Sequence, residues 1–272
     1  MHGGNPLDWD ANEFLILYGV LIVAAMILRV VIVNWLRPEG HPARIADEDE
    51  IAVIAGGPNR YAEAVTARML ATGALTMPGK GQFAVLNRPQ RPTQAERALL
   101  AIGTRMKWRK VRRALRDHAA GVEERLASRG LYMDRGEAMQ VRLLQLVPFA
   151  FLLGFGFVRW KVAQIREEDF GFLLIMMFIV VVLSFMAFMK FDRATREAKS
   201  ELAALRATRD RLRRAPLSEE TGMAVALYGT TVLAGTSIAG FHKLRSDSGS
   251  GGCGSSDSGG GCGGGGCGGC GG

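Results

Sequence analysis

Phe170-Gly-Phe-Leu-Leu-Ile-Met-Met-Phe-Ile-Val-Val-Val-Leu-Ser-Phe-Met-Ala-Phe-Met189 decides the fold. These 20 residues carry no charge. As a helix they rise about 30 Å, the thickness of a bilayer's hydrocarbon core. The chain is therefore read as membrane-spanning, and the rest is placed relative to this span over 170–189.

Immediately upstream, Leu143 to Val158 is a second apolar run, with Pro148 inside it and Arg159-Trp160-Lys161 at its end. It is read as a span over 143–160, kinked by the proline, with Trp160 at the interface. A short loop, Val162 to Asp169, makes the two spans a helical hairpin. Near the start, Phe14 to Leu28 and Val30 to Leu36 flank Arg29 and predict a further span over 14–36, after an external N-terminus of residues 1–13. A signal peptide is the competing reading. It fails because the preceding residues are acidic and the apolar run is too long. Arg29 sits near the basic end, where its side chain would snorkel to the interface. Met223 to Phe241 is a fourth candidate, uncharged and rich in Gly, Ala, Thr and Ser. Its small residues Ala226, Thr230 and Ala234 recur at the spacing that lets membrane helices approach closely.

Charge orients the spans. Residues 37–142 hold 19 Lys/Arg against 12 Asp/Glu, and residues 190–214 hold nine Lys/Arg. The 159–169 loop has Arg159, Lys161 and Arg166, offset by Glu167, Glu168 and Asp169. The positive-inside rule puts the N-terminus and the 159–169 loop outside, and residues 38–142 and the basic helical segment 190–222 in the cytoplasm. If 223–241 inserts, the tail is outside. The formal net charge of +8 fits retention of Lys and Arg on the side facing anionic lipid, a reading favoured over nucleic acid.

The cytoplasmic segment 38–142 predicts a small α+β domain. Glu50 to Gly57 reads as a short helix closed by glycine, and Arg60 to Ala71 as a second. Leu75–Met77 and Gln82–Val85 read as strands joined by a turn at Pro78-Gly-Lys-Gly81. The order then recurs. Glu96 to Gly103 echoes Glu50 to Gly57, and Leu126-Ala-Ser-Arg-Gly-Leu-Tyr-Met133 echoes Leu70-Ala-Thr-Gly-Ala-Leu-Thr-Met77. Helix, strand, turn, strand is the pattern of a winged helix, so two related units, 46–88 and 94–142, are expected. The second adds a helix from Met106 to His118. It carries Lys107, Arg109, Lys110, Arg112, Arg113 and Arg116, with Trp108, Val111 and Leu115 on its other face. Contact with anionic lipid is the first reading of this face, a protein partner the second, and DNA the third.

Signatures of catalysis are missing. His2, His41, His118 and His242 are isolated, and there is no HExxH and no GxSxG. Gly73 to Gly81 lacks the spacing of a phosphate loop. Asp47 to Glu50 suit the positive end of a helix. No enzyme is expected.

All four cysteines, Cys253, Cys262, Cys267 and Cys270, lie in a tail over 246–272 that is mostly glycine from residue 249 on. Such a chain has nothing to bury and much backbone entropy to lose, so disorder is expected. Cys267-Gly-Gly-Cys270 has ligand spacing for zinc or copper(I), which Cys262 and Cys253 would complete. The tail also resembles the Gly/Ser/Cys-rich core of microcin precursors, whose Gly-Cys and Gly-Ser pairs are cyclised to azoles.

Three motifs carry a wider resemblance: Ile54-Ala-Gly-Gly-Pro58, Leu126-Ala-Ser-Arg-Gly-Leu131 and Ala224-Val-Ala-Leu-Tyr-Gly229. With the layout, they resemble a family of bacterial multi-span membrane proteins with a cytoplasmic helical domain and an extreme Gly/Cys-rich C-terminus. The resemblance implies the layout and gives no catalytic residues to carry over. The expected fold is mainly α and multi-span. The expected role is a non-enzymatic anchor or scaffold in the bacterial inner membrane that presents a Cys-rich tail. A membrane-tethered winged-helix DNA-binding regulator is the alternative.

Overall fold

The computed structural model describes residues 11–41, 44–45, 47–166, 171–189 and 191–247. The four cysteines, and nearly all of the N-terminal stretch, lie outside them. In chain order the elements are α1 (Ala11–Leu36), α2 (Glu48–Ala71), β1 (Leu75–Gly79), β2 (Gln82–Val85), α3 (Gln94–Ala101), β3 (Arg105–Lys107), α4 (Trp108–Ser128) and α5 (Arg135–Leu144). Then come α6 (Val147–Arg166), α7 (Gly171–Met189), α8 (Arg196–Thr208), α9 (Arg211–Arg214), α10 (Thr221–Tyr228) and α11 (Ala239–Asp247). The protein is mainly helical, with one small antiparallel sheet of order β1-β2-β3.

Among the described residues three stretches are long and apolar enough to cross a membrane: Glu13–Leu36, Arg135–Ile165 and Gly171–Met189. They form a bundle whose interior holds Phe14, Tyr18, Phe149, Leu152 and Val180. Close approach of α1 and α6 depends on Gly156, where a Cβ would meet the Tyr18 hydroxyl at 2.9 Å. That hydroxyl donates to the Leu152 carbonyl at 3.1 Å. The outward faces, including Ile16, Phe172 and Phe178, are exposed as lipid-facing positions would be.

The second span departs from its expected limits. The chain breaks at Gln145–Leu146, so Pro148 falls in the first turn of α6, where its missing N–H costs nothing. The helix then runs on to Arg166. Arg159, expected at the membrane edge, is buried in α6 with its guanidinium 5.4 Å from the Phe14 ring centroid. Gln145 is fully buried and donates to the Ala187 carbonyl at 3.1 Å, tying the start of α6 to the end of α7.

The remaining elements share one core, drawn from residues 45–132 and 194–241. The expected free-standing 38–142 domain is thus completed by the chain after α7. The basic segment 190–222 contributes Ala198, Leu202 and Leu212 to that core. The junction with the bundle is tightly hydrogen-bonded: Thr195 N–H donates to Leu131 O at 3.2 Å, Met133 N–H to Arg193 O at 2.8 Å, and Arg196 N–H to Pro38 O at 3.1 Å.

The fourth span is corrected. Residues 223–241 form no single helix: α10 ends at Tyr228, a 3-10 turn covers Thr230–Leu233, and α11 starts at Ala239. Gly229 (φ 88°) and Gly235 (φ 84°) break the helix. Ala224, Val225, Ala226 and Leu227 are at most 1% exposed. They sit in the core, where α10 packs on α2. The four-residue spacing of Ala226, Thr230 and Ala234 is not kept on one helix: Ala226 packs in α10 against α2, Thr230 lies in the 3-10 turn and Ala234 is exposed after it. Residues 246–247, expected in the tail, belong to α11.

The expected break near Gly57 is present as a sharp kink in α2, with Gly57 at φ 65°, ψ −159° and Pro58 after it. Duplication is corrected. β3 pairs with β2, Phe83 facing Met106, so both proposed units share one sheet and 94–142 contains no hairpin of its own. The pairing also takes Met106 and Lys107 into β3, so the basic helix starts at Trp108. What the echo encodes is a helix stop. After α2 comes Gly73 at φ 72°, and after α4, one place later in the alignment of the two stretches, comes Gly130 at φ 70°. Leu131 N–H donates to Leu126 O at 3.0 Å, and Gly130 N–H to Ala127 O at 2.9 Å, the paired bonds that cap helices at such a glycine. Beyond the stop the segments diverge. Leu75 enters a hairpin, whereas Tyr132 makes one bridge to Ala194 before Asp134 caps α5.

Candidate docking face and C-terminal attachment

Helix α4 is strongly two-sided. Trp108, Val111, Leu115, Ala119, Val122 and Leu126 recur at helical spacing and are buried against α2 and α3. On the other side, Lys107, Arg109, Lys110, Arg112, Arg113 and Arg116 are all exposed. None of the six forms an ion pair with a described residue. All six predicted cations therefore lie on one face. Arg105 on β3 joins them, and an open depression of about 350 Å³ lined by Gln82, Arg105, Met106, Lys107 and Lys110 continues the face onto the sheet. Sequence reading missed Arg105 because its place beside the helix depends on the β2–β3 pairing.

Next to the start of α4 the C-terminal helix is fixed in place. Phe241 is 1% exposed, with its ring 5.4 Å from Trp108 and 5.8 Å from Phe83. Arg245, 6% exposed, pairs through Nε and Nη2 with Oε1 of the equally buried Glu63, both at 2.6 Å, and stacks 5.1 Å from the Trp108 ring. Arg60 lies 3.4 Å from the other carboxylate oxygen of Glu63. At the rim, Lys80 in the β1–β2 turn pairs with Asp247 at 3.0 Å. The Gly/Cys chain thus starts from a rigid point beside the cationic face. Glu63 and Arg245 are 182 residues apart, and no local signal in the sequence links them.

A second polar cluster joins the two ends of α2. Arg68 bonds Glu48 at 2.8 Å and Glu96 at 3.0 Å, with Asp49 at 4.0 Å. Burial outweighs the attraction of Arg68 and pushes the Glu48 carboxyl up to about 7. Glu48 sits against Gly222, where a Cβ would overlap its carboxylate. Asp47 caps the helix from its side chain to the Asp49 N–H, so these acids serve the start of α2 as well as the Arg68 pair. Among the described residues no three His, Cys, Asp or Glu side chains form a metal-sized group. The candidate ligands Cys253, Cys262, Cys267 and Cys270 lie outside the described residues.

Two of the motifs that carried the family resemblance meet here. Arg60, two residues after Ile54-Ala-Gly-Gly-Pro58, places its guanidinium against Gly229, the last residue of Ala224-Val-Ala-Leu-Tyr-Gly229. Compared with protein-family models, curated proteins and solved structures, the chain matches none.

Proposed function

We propose that this protein is a non-enzymatic scaffold of the bacterial inner membrane that presents its Gly/Cys tail on the cytoplasmic side. The observation that carries the proposal is the attachment of α11. The last described helix is locked into the helical domain by Arg245–Glu63 and Phe241, so the chain beyond Asp247 leaves from that domain. Three apolar stretches rather than four leave residues 45–132 and 194–247 on one side of a membrane. The Lys/Arg excess of both segments makes that side cytoplasmic, with the 159–169 loop outside. There the tail thiols stay reduced and able to bind zinc or copper(I), or to be modified. The α4 face is the docking surface of the scaffold. The winged-helix regulator is the weaker reading, because the second of the two expected hairpins is absent: 94–142 supplies only β3 to the sheet that β1 and β2 begin.

Purification of the full chain from its membrane, followed by metal analysis and intact mass, tests the tail. The expected result is bound zinc or copper, or a mass deficit of about 20 Da per azole ring, either one lost when Cys253, Cys262, Cys267 and Cys270 are replaced by Ser. Four free thiols at unmodified mass without metal, together with full function of the Ser variant in cells, would reduce the tail to a spacer.

A further inference from the structure

We infer that the cationic face of α4 binds the phosphate backbone of double-stranded nucleic acid, independently of sequence. It rests on the scaffold reading only for the cytoplasmic placement of the domain.

The face is a dense strip of arginine. At 100° per residue, Arg109, Arg112, Arg113 and Arg116 fall within roughly 100° of arc and about 10 Å of rise, so four guanidinium groups lie close together. Lys107, Lys110 and Arg105 extend the strip toward the sheet. Asp117 is the one acid at its edge. Arginine predominates, and its planar fork matches phosphate oxygens two at a time.

What the face lacks decides between partners. Between Leu86 and Met139 no large hydrophobic side chain is exposed. Met106, Trp108, Val111 and Leu115, the apolar residues interleaved with the cations, are buried in the core. A helix that lies in a membrane surface needs that apolar side free to insert, and here it is occupied. A protein interface needs apolar or aromatic anchors at its centre, and the strip offers none. A purely cationic, hydrated surface remains, and it suits a partner whose recognised groups are charges alone.

Placement along α4 separates the strip from the end tied to the bundle. The C-terminal end of α4 is the end tied to the bundle, through Leu131–Thr195 and Met133–Arg193. Arg116 and Arg109 stand 12 and 19 residues before Ser128, about 18 and 28 Å along the axis. Screening in the cell limits attraction between exposed charges to about 8 Å. The strip therefore lies several screening lengths along α4 from the tied end. α4 packs on α2 and α3, and no comparable packing joins it to α1, α6 or α7. The strip's Arg and Lys match phosphate oxygens, which carry no sequence, and the comparison of two duplexes below separates this from arginine contact with guanine edges.

The test uses the full chain in nanodiscs of neutral lipid and fluorescence anisotropy of a labelled random-sequence duplex. Binding on the order of micromolar is expected at about 50 mM salt, weakening about 10²-fold by about 200 mM. The exposed-residue variant Arg112→Ala/Arg113→Ala/Arg116→Ala should keep the unfolding midpoint of the parent. It should bind at least about tenfold more weakly, with a salt slope reduced by roughly 3. A second duplex of unrelated sequence should bind within about threefold of the first. The inference is overturned by no binding at the lower salt, by unchanged binding in the triple variant, or by a strong preference for one duplex. It is equally overturned if anionic vesicles are captured through these arginines while DNA is not. None of these results touches the scaffold reading, which the tail and sidedness measurements decide.

Discussion

Gly229→Ala is expected to destabilise the helical domain by about 3 kcal/mol or more. Gly229 adopts φ 88°, ψ −178°, a conformation that side chains enter only at roughly 1–3 kcal/mol of strain. Space adds to this, because a Cβ at Gly229 would overlap the Arg60 guanidinium. Arg60 is confined by the neighbouring Arg245 and Glu63, and burial already holds it below the usual arginine range. It would have to move with its charge still buried. The same glycine ends α10 and keeps 223–241 from becoming one helix, so the substitution probes the break itself. Urea unfolding of the parent and variant chains, each with Trp9, Trp35 and Trp160 replaced by Phe so that Trp108 alone reports, measures the effect. A loss below about 0.5 kcal/mol, the range of an ordinary surface substitution, would show that the break does not depend on this residue.

Glu63→Ala should cost on the order of 3–5 kcal/mol, because it leaves Arg245 and Arg60 buried without the carboxylate that compensates them. Since Arg245 and Phe241 are what hold α11, the first visible change should be cleavage of 239–247 by protease while the rest of the domain is still folded. Glu63→Leu combined with Arg245→Met should regain the part of the loss owed to Arg245, because a buried ion pair can be replaced by apolar residues of similar volume at little cost, while Arg60 stays without its carboxylate. If Glu63→Ala changes stability by less than about 1 kcal/mol and leaves α11 as protected as before, the attachment assigned to this pair is wrong.

These two positions also show where sequence reasoning stopped. The three long apolar runs were legible because length and the absence of charge are local properties. The two-sided character of α4 was legible for the same reason: its apolar positions repeat at 3.6 residues, and five of the six expected cations lie on its exposed face, with Lys107 beside them on β3. Residues 223–241 misled because an uncharged stretch of small and apolar residues suits the buried core of a helical domain as well as a helix in lipid, and the breaks at Gly229 and Gly235 were not read. Composition alone does not distinguish α2 in a polar-coated domain from a neighbour in lipid. The echo of Leu70–Met77 in Leu126–Met133 is real as a helix stop. It does not extend to a duplication, because tertiary partners set the path of the chain beyond each stop. The joining of 45–132 with 194–241 across two intervening apolar helices, and the Glu63–Arg245 pair within it, rest on contacts between residues far apart in the chain. No periodicity reports those.

If the chain before α5 and the chain after α7 fold together, both must lie on one side of the membrane. Reporter fusions after Gly103, after Gln164 and after Asp247, each read for cytoplasmic or external location in intact cells, test this most directly. The expected result is a cytoplasmic signal at Gly103 and Asp247 and an external one at Gln164. An external signal at Asp247 with a cytoplasmic one at Gly103 would mean that 223–241 crosses the bilayer, and would contradict the shared domain.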